Sequence, residues 1–146
     1  QRARVSAEAT EAILSAELIV IAPSNPLISI APILAVGGVR EAIASARTRG
    51  VQVIGVSPIV AGKAIKGPAD RMLSAAKLPS SPVGVARALP GLFDTLLVEE
   101  SDLTSELRAD LAPLVANIVG TQIVMHDDAA RLSLAQRLLQ VASDAA

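Results

Sequence analysis

Cysteine, tryptophan and tyrosine are absent from this 146-residue chain, and phenylalanine and histidine each occur once, at Phe93 and His126. Without cysteine there are no disulfides and no thiolate metal sites, and a reducing cytoplasm fits such a chain. One aromatic residue provides no stacking platform for bases. With 13 basic against 14 acidic residues, no global field draws polyanions. Nucleic-acid binding is therefore not expected. A single histidine cannot build a His-rich metal site, and spacing assigns no Ser-His-Asp arrangement. No basic leader with a cleavage site opens the chain, so nothing supports secretion. The first residue is Gln rather than Met, which fits a piece of a longer protein.

What the chain has instead is apolar surface: 51% of residues are hydrophobic, with a mean hydropathy of +0.52. The stretch from Ile13 to Val39 contains Glu17, Pro23, Asn25, Pro26 and Pro32. It therefore lacks the ~20 uninterrupted apolar residues of a membrane-spanning helix. A sheet buried on both faces accounts for the composition better. Four short apolar runs read as strands, namely Leu18 to Ala22, Val51 to Val56, Thr95 to Val98 and Thr121 to Met125. None alternates polar with apolar, the mark of burial on both sides.

Helical periodicity fills the intervals. Ser6 suits an N-cap ahead of Ala9, Ala12, Ile13 and Ala16, and Val39, Ile43 and Ala46 form a stripe that Gly50 stops. Pro68 opens a helix running through Ala76, and Ser81-Pro82 opens another to about Leu89. Leu103, Leu107 and Leu111 mark a further helix, and Leu134, Leu138 and Val141 mark the last. Strands roughly 30 to 45 residues apart with helices between them are the βαβ signature. The expectation is one α/β domain over residues 1–146, with a Rossmann-like parallel sheet and helices on both faces.

In such sheets ligands collect outside the carboxyl ends of the strands, so four loops matter. In the first, "APSNPLISIAPIL", Ser24 and Asn25 lie between prolines. They read either as an anion-binding turn at a helix start or as a capped, Pro-stiffened turn. The second, "SPIVAGKAIKGPADRM", places Lys63 and Lys66 between Gly62 and Gly67. Glycines permit close main-chain approach to a ligand. Two lysines three apart would point the same way on a helical turn and could close on a polyphosphate. Ligand binding is favoured here over a solvated loop, with Asp70 compensating a helix dipole. The order of residues is not that of a Walker motif. In the third loop, "EESD" from Glu99 to Asp102, helix capping and first-turn acids are favoured over a metal site. In the fourth, "HDD" from His126 to Asp128, Asp127 or Asp128 suits the N-cap of the last helix.

The two first loops also carry a resemblance. "IVIAPSNPLISIAPILAVGGVREAI", "VIGVSPIVAGKAIKGPADRML" and "GVAR" closely resemble the phospholactate (or phosphoenolpyruvate) transferases of coenzyme F420 biosynthesis, from about Ala16 to Ala142. The resemblance implies an enzyme that moves a three-carbon phospho-acid from a guanosine-diphosphate-linked donor to the ribityl hydroxyl of the deazaflavin Fo, releasing GMP. It places Ser24 and Asn25 in the family's first strand-end loop, and Ser57, Gly62, Lys63, Lys66 and Gly67 in the loop assigned to donor binding. The catalytic residues remain unassigned. Magnesium is expected from the family, with its ligands in an N-terminal half that these 146 residues do not contain. The fold is then incomplete without that half, and an apolar sheet edge or face is expected to lie open. A homo-oligomer is also expected. "VMHDD" stands where the family more usually has Thr-Asp. The alternative is a non-enzymatic nucleotide-sugar-binding regulator on a related scaffold. Such regulators resemble the first loop but typically lack the lysines of the second.

Overall fold

Short apolar runs become strands, and the polar positions between them become caps and turns. The structure, a computed structural model, describes residues 3–144. Ser6 caps α1 (Ala7–Ser15), its hydroxyl oxygen accepting the Ala9 N–H at 3.2 Å. β1 (Leu18–Ile21) follows. Asn25 then opens a π-helical turn, Pro26–Ile30, that runs into α2 (Ala31–Leu34). α3 (Val39–Arg47) buries Val39, Ala42, Ile43 and Ala46, the stripe expected of it, and leads through Gly50 to β2 (Gln52–Val56). A hairpin, β3 (Ile59–Val60) with β4 (Lys63–Ala64), precedes α4 (Ala69–Ala75) and α5 (Pro82–Ala88). β5 (Thr95–Glu99), a 3₁₀ turn (Glu100–Asp102), α6 (Ser105–Leu111), β6 (Asn117–Thr121) and α7 (Asp128–Asp144) complete the chain.

The main sheet is parallel with the order β1-β2-β5-β6. Every crossover steps in the same direction, so right-handed connections put their helices on one face. The packing follows that rule. Val53, Leu96 and Val98 pack with Val39 and Ile43 of α3, Leu73 of α4, Val83 of α5 and Leu111 of α6. The opposite face belongs to α7, whose Leu134 and Val141 pack with Ile54, Val56 and Leu97. The α/β reading with helices on both faces therefore holds. None of the helices among the described residues is long and apolar enough to cross a membrane.

Two expectations are corrected. The fourth strand is Asn117–Thr121 rather than Thr121 to Met125, and the later residues form a connection across the carboxyl ends of the strands. The loop after β2 contains an antiparallel hairpin where an irregular segment was expected. β1 forms one edge of the sheet, with no strand on its outer side among the described residues. Val20 there is 42% exposed, which puts apolar surface at the open edge.

Two sites show how little slack the helix-covered face has. Gly55 on β2 lies under the Phe93 ring, and a Cβ there would meet it. A Cβ on Gly84 in α5 would run into the Pro79 carbonyl oxygen, a backbone atom that cannot move aside cheaply.

One carboxylate ties α3 to the amino end of the sheet. Asp94 Oδ2 accepts the Val53 N–H at 2.7 Å and Arg47 Nε at 3.2 Å. Its Oδ1 lies 3.0 Å from Arg47 Nη2. The rest of the guanidinium donates to the Gly91 and Leu92 carbonyls at 2.7 and 2.6 Å. Removing the carboxylate leaves the Val53 N–H and a partly buried cation without their partner. Asp94→Ala is expected to lower unfolding stability by about 1–3 kcal/mol, read as a lower urea midpoint. An unchanged midpoint would contradict this role.

Candidate functional site

The loops that follow β1, β2 and β6 meet over the carboxyl ends of the strands. Pro23, Ser24, Pro58, Ile65, Lys66, Ile123 and Met125 line a cleft of about 200 Å³ between them. Larger hollows lie elsewhere. One of about 440 Å³ involves Gln52, Thr95 and Asn117 at the amino ends of the strands, and an apolar one of about 360 Å³ flanks β1. Size alone does not choose among them. The cleft is the one at the rim where parallel sheets bind ligands.

Of the residues singled out from the sequence, Ser24 and Lys66 come together on its wall. Asn25 is occupied structurally. Its Oδ1 accepts the N–H groups of Leu27 and Ile28 at 2.9 and 3.2 Å, and its Nδ2 lies 3.3 Å from Met72 Sδ in α4. The capped-turn reading describes Asn25, while Ser24 faces the cleft. Ser57 is fully buried, and its hydroxyl both donates to the Ile59 carbonyl and accepts the Ile59 N–H, each at 3.1 Å. It holds the turn into the hairpin and presents nothing to the cleft.

Ala61 and Gly62, with φ of 49° and 75°, form the hairpin tip, a geometry with positive φ at both central residues. Ala61 carries strain there that Gly62 does not. The Gly62 carbonyl accepts Ser80 Oγ at 2.6 Å, and exposed Gly67 lies in the bend before α4. Lys63 sits on β4 rather than on a helical turn, so the two lysines do not share the cleft wall. Lys63 is exposed on the hairpin, while Lys66 lines the cleft. Neither forms an ion pair among the described residues.

The acidic third loop works as a clasp. Glu99 Oε2 accepts the Ile123 N–H at 3.0 Å and so holds the connection that follows β6 over the end of β5. Asp102 Oδ2 accepts the Ala61 N–H at 2.7 Å and pins the hairpin tip. Capping of α6 falls to Thr104, whose hydroxyl oxygen accepts the Leu107 N–H at 3.1 Å, not to "EESD". Asp127 caps α7 through the Ala130 N–H at 2.7 Å, as one reading of "HDD" had it. Exposed His126 lies 3.3 Å from the Asp127 carboxylate.

No group of three or more His, Cys, Asp or Glu side chains among the described residues is placed to hold a metal ion. The apolar wall of Pro23, Pro58, Ile65, Ile123 and Met125 was not singled out from the sequence. Pro58 precedes the lysines and Ile65 lies between them in the same motif, but their side-chain directions depend on the hairpin. Met125 reaches the cleft because the last strand ends earlier than its apolar run suggests.

Comparison with known proteins finds relatives along nearly the whole chain. A family model described as 2-phospho-L-lactate transferase CofD matches residues 1–143. A phosphoenolpyruvate transferase of Streptomyces griseus subsp. griseus is 39% identical over 145 residues, which are 99% of this chain and 44% of that protein. A phosphoenolpyruvate transferase of Mycobacterium avium is 36% identical over 97% of this chain and 41% of its own length. A 2-phospho-L-lactate transferase of Methanothermobacter thermautotrophicus is 33% identical over 88% of this chain and 40% of its own length. The chain thus spans less than half the length of these relatives. By these matches, which run through both lysine-bearing and Ser24-bearing loops, the chain belongs to the 2-phospho-L-lactate transferase CofD family.

Proposed function

We propose that this chain is the donor-binding part of a cytoplasmic transferase of coenzyme F420 biosynthesis. The enzyme moves a phosphoenolpyruvyl or 2-phospholactyl group from a guanosine-diphosphate-linked donor to the hydroxyl of the deazaflavin Fo and releases GMP. The observation that carries the reading is the meeting of Ser24 and Lys66 in one cleft at the carboxyl ends of β1 and β2, in a chain of this family. In the reaction the acceptor oxygen forms a bond to the phosphorus of the phospho-acid, and the phosphoanhydride bond to GMP breaks. Charge accumulates on the departing phosphate, so an ammonium group held beside it favours bond breaking. Lys66 is the residue suited to that role, and the Ser24 hydroxyl can donate to the same diphosphate. Magnesium, when bound, would supply further neutralisation.

The regulator alternative is disfavoured by Lys63 and Lys66 in the second loop and by the relatives, which are named as transferases. Calorimetric titration of the natural-length protein with GDP separates the two. GDP is expected to bind, and Lys66→Ala to weaken it tenfold or more, since a hydrogen bond to a charged group is worth about 1.5–3 kcal/mol. Lys63→Ala is expected to have a smaller effect. Binding of uridine-linked sugars with none of GDP would replace the transferase reading with the regulator.

A further inference from the structure

From Val60 to Pro68 the second loop has no buried residue, so packing within that segment does not fix Lys66. Each strand of its hairpin has two residues, and a two-stranded hairpin is marginal by itself. The base is anchored. Ile59 is fully buried, and the Ile65 N–H donates to the Pro58 carbonyl at 2.9 Å. The tip is strained, because Ala61 has a φ of 49°, a left-handed conformation that a side chain makes costly. A residue keeps such a conformation only where its surroundings impose it.

Two hydrogen bonds from distant parts of the chain impose it here. Asp102, in the turn after β5, accepts the Ala61 N–H at 2.7 Å. Ser80, just ahead of α5, donates through Oγ to the Gly62 carbonyl at 2.6 Å. The tip is thus gripped by its first donor and its last acceptor. Neither Asp102 nor Ser80 lines the cleft. The pairs Ile59 with Ala64 and Val60 with Lys63 make the hairpin one small body. A freed tip would let that body turn about its base, and Lys66 just beyond β4 would move with it. An ammonium displaced by an ångström loses hydrogen-bond distance to its phosphate.

We propose that Asp102 and Ser80 are positioning residues, which fix Lys66 for the donor diphosphate by clamping the hairpin tip. The inference rests on the transferase reading, in which Lys66 meets that diphosphate. A role for Asp102 through its charge would have the opposite sign, since removing a carboxylate near an anion's seat strengthens binding.

The test is calorimetric titration of the natural-length protein with GDP, in the wild-type and Lys66→Ala backgrounds. In the wild-type background Asp102→Ala is expected to weaken GDP about fivefold and Ser80→Ala about threefold. Asp102→Asn keeps an acceptor oxygen and is expected to stay within about twofold. In the Lys66→Ala background both alanine changes are expected to cost less than about twofold, because the group that they position is gone. A purely structural role costs the same in both backgrounds, and that result would overturn the proposal. Unchanged or tighter binding in both alanine variants would also overturn it, as would a loss in Asp102→Asn equal to that in Asp102→Ala. Should Asp102→Ala not fold, Ser80→Ala decides by the same comparison of backgrounds. If the wild type binds no GDP, or Lys66→Ala leaves its affinity unchanged, the donor-binding role of Lys66 fails and takes the clamp's function with it. That outcome is distinct from equal losses in the two backgrounds.

Discussion

Parallel pairing of the four main strands sends every loop that follows a strand to the same rim, and the candidate site depends on that constraint. In an antiparallel sheet the loops bearing Ser24 and Lys66 would emerge at opposite ends. Here β1 and β2 pair in parallel register from Leu18 and Gln52 to Ile21 and Gly55, so the two loops start level with each other. Parallel pairing brings loops to one rim but does not hold them there. Glu99 and Asp102 do so by accepting the N–H groups of Ile123 and Ala61. Acids at this position bind neighbouring main chain, and through it they shape a cleft whose wall they do not line.

The remaining requirement is that the strands stay buried on both faces. Among the described residues, α1 to α6 and their connections lie on one face, and α7 covers the other. The first face is fitted closely enough that Gly55 and Gly84 have no room for a side-chain carbon. Asp94 and Arg47 then fasten the amino end of β2 to the loop before β5. The amino ends of the strands carry the structural fastening, and their carboxyl ends carry the loops with chemistry.

The first three strands were legible in the sequence because each is an apolar run set between helices with clear caps. The fourth was displaced because "TQIVM" is as apolar as "NIVGT", and burial alone cannot tell a strand from a connection crossing a sheet end. Ile123 is buried in either case. The hairpin after β2 left little trace: each strand has two residues, and its tip is Ala61-Gly62 rather than Asn-Gly. Missing it turned Lys63 and Lys66 into a pair, whereas the backbone separates them. Ser24 and Lys66 could be picked out by type and position. The apolar wall could not, because three loops distant in sequence supply it.

The absence of cysteine from these 146 residues permits a direct test of loop convergence. A protein carrying Ser24→Cys and Lys66→Cys, treated with a short bifunctional thiol reagent, should be cross-linked within one molecule in high yield. A control pair, Ser24→Cys with Asn117→Cys at the amino end of β6, should remain unlinked. Failure of the first pair to link, or equal linking of both, would contradict a shared cleft at the strand ends.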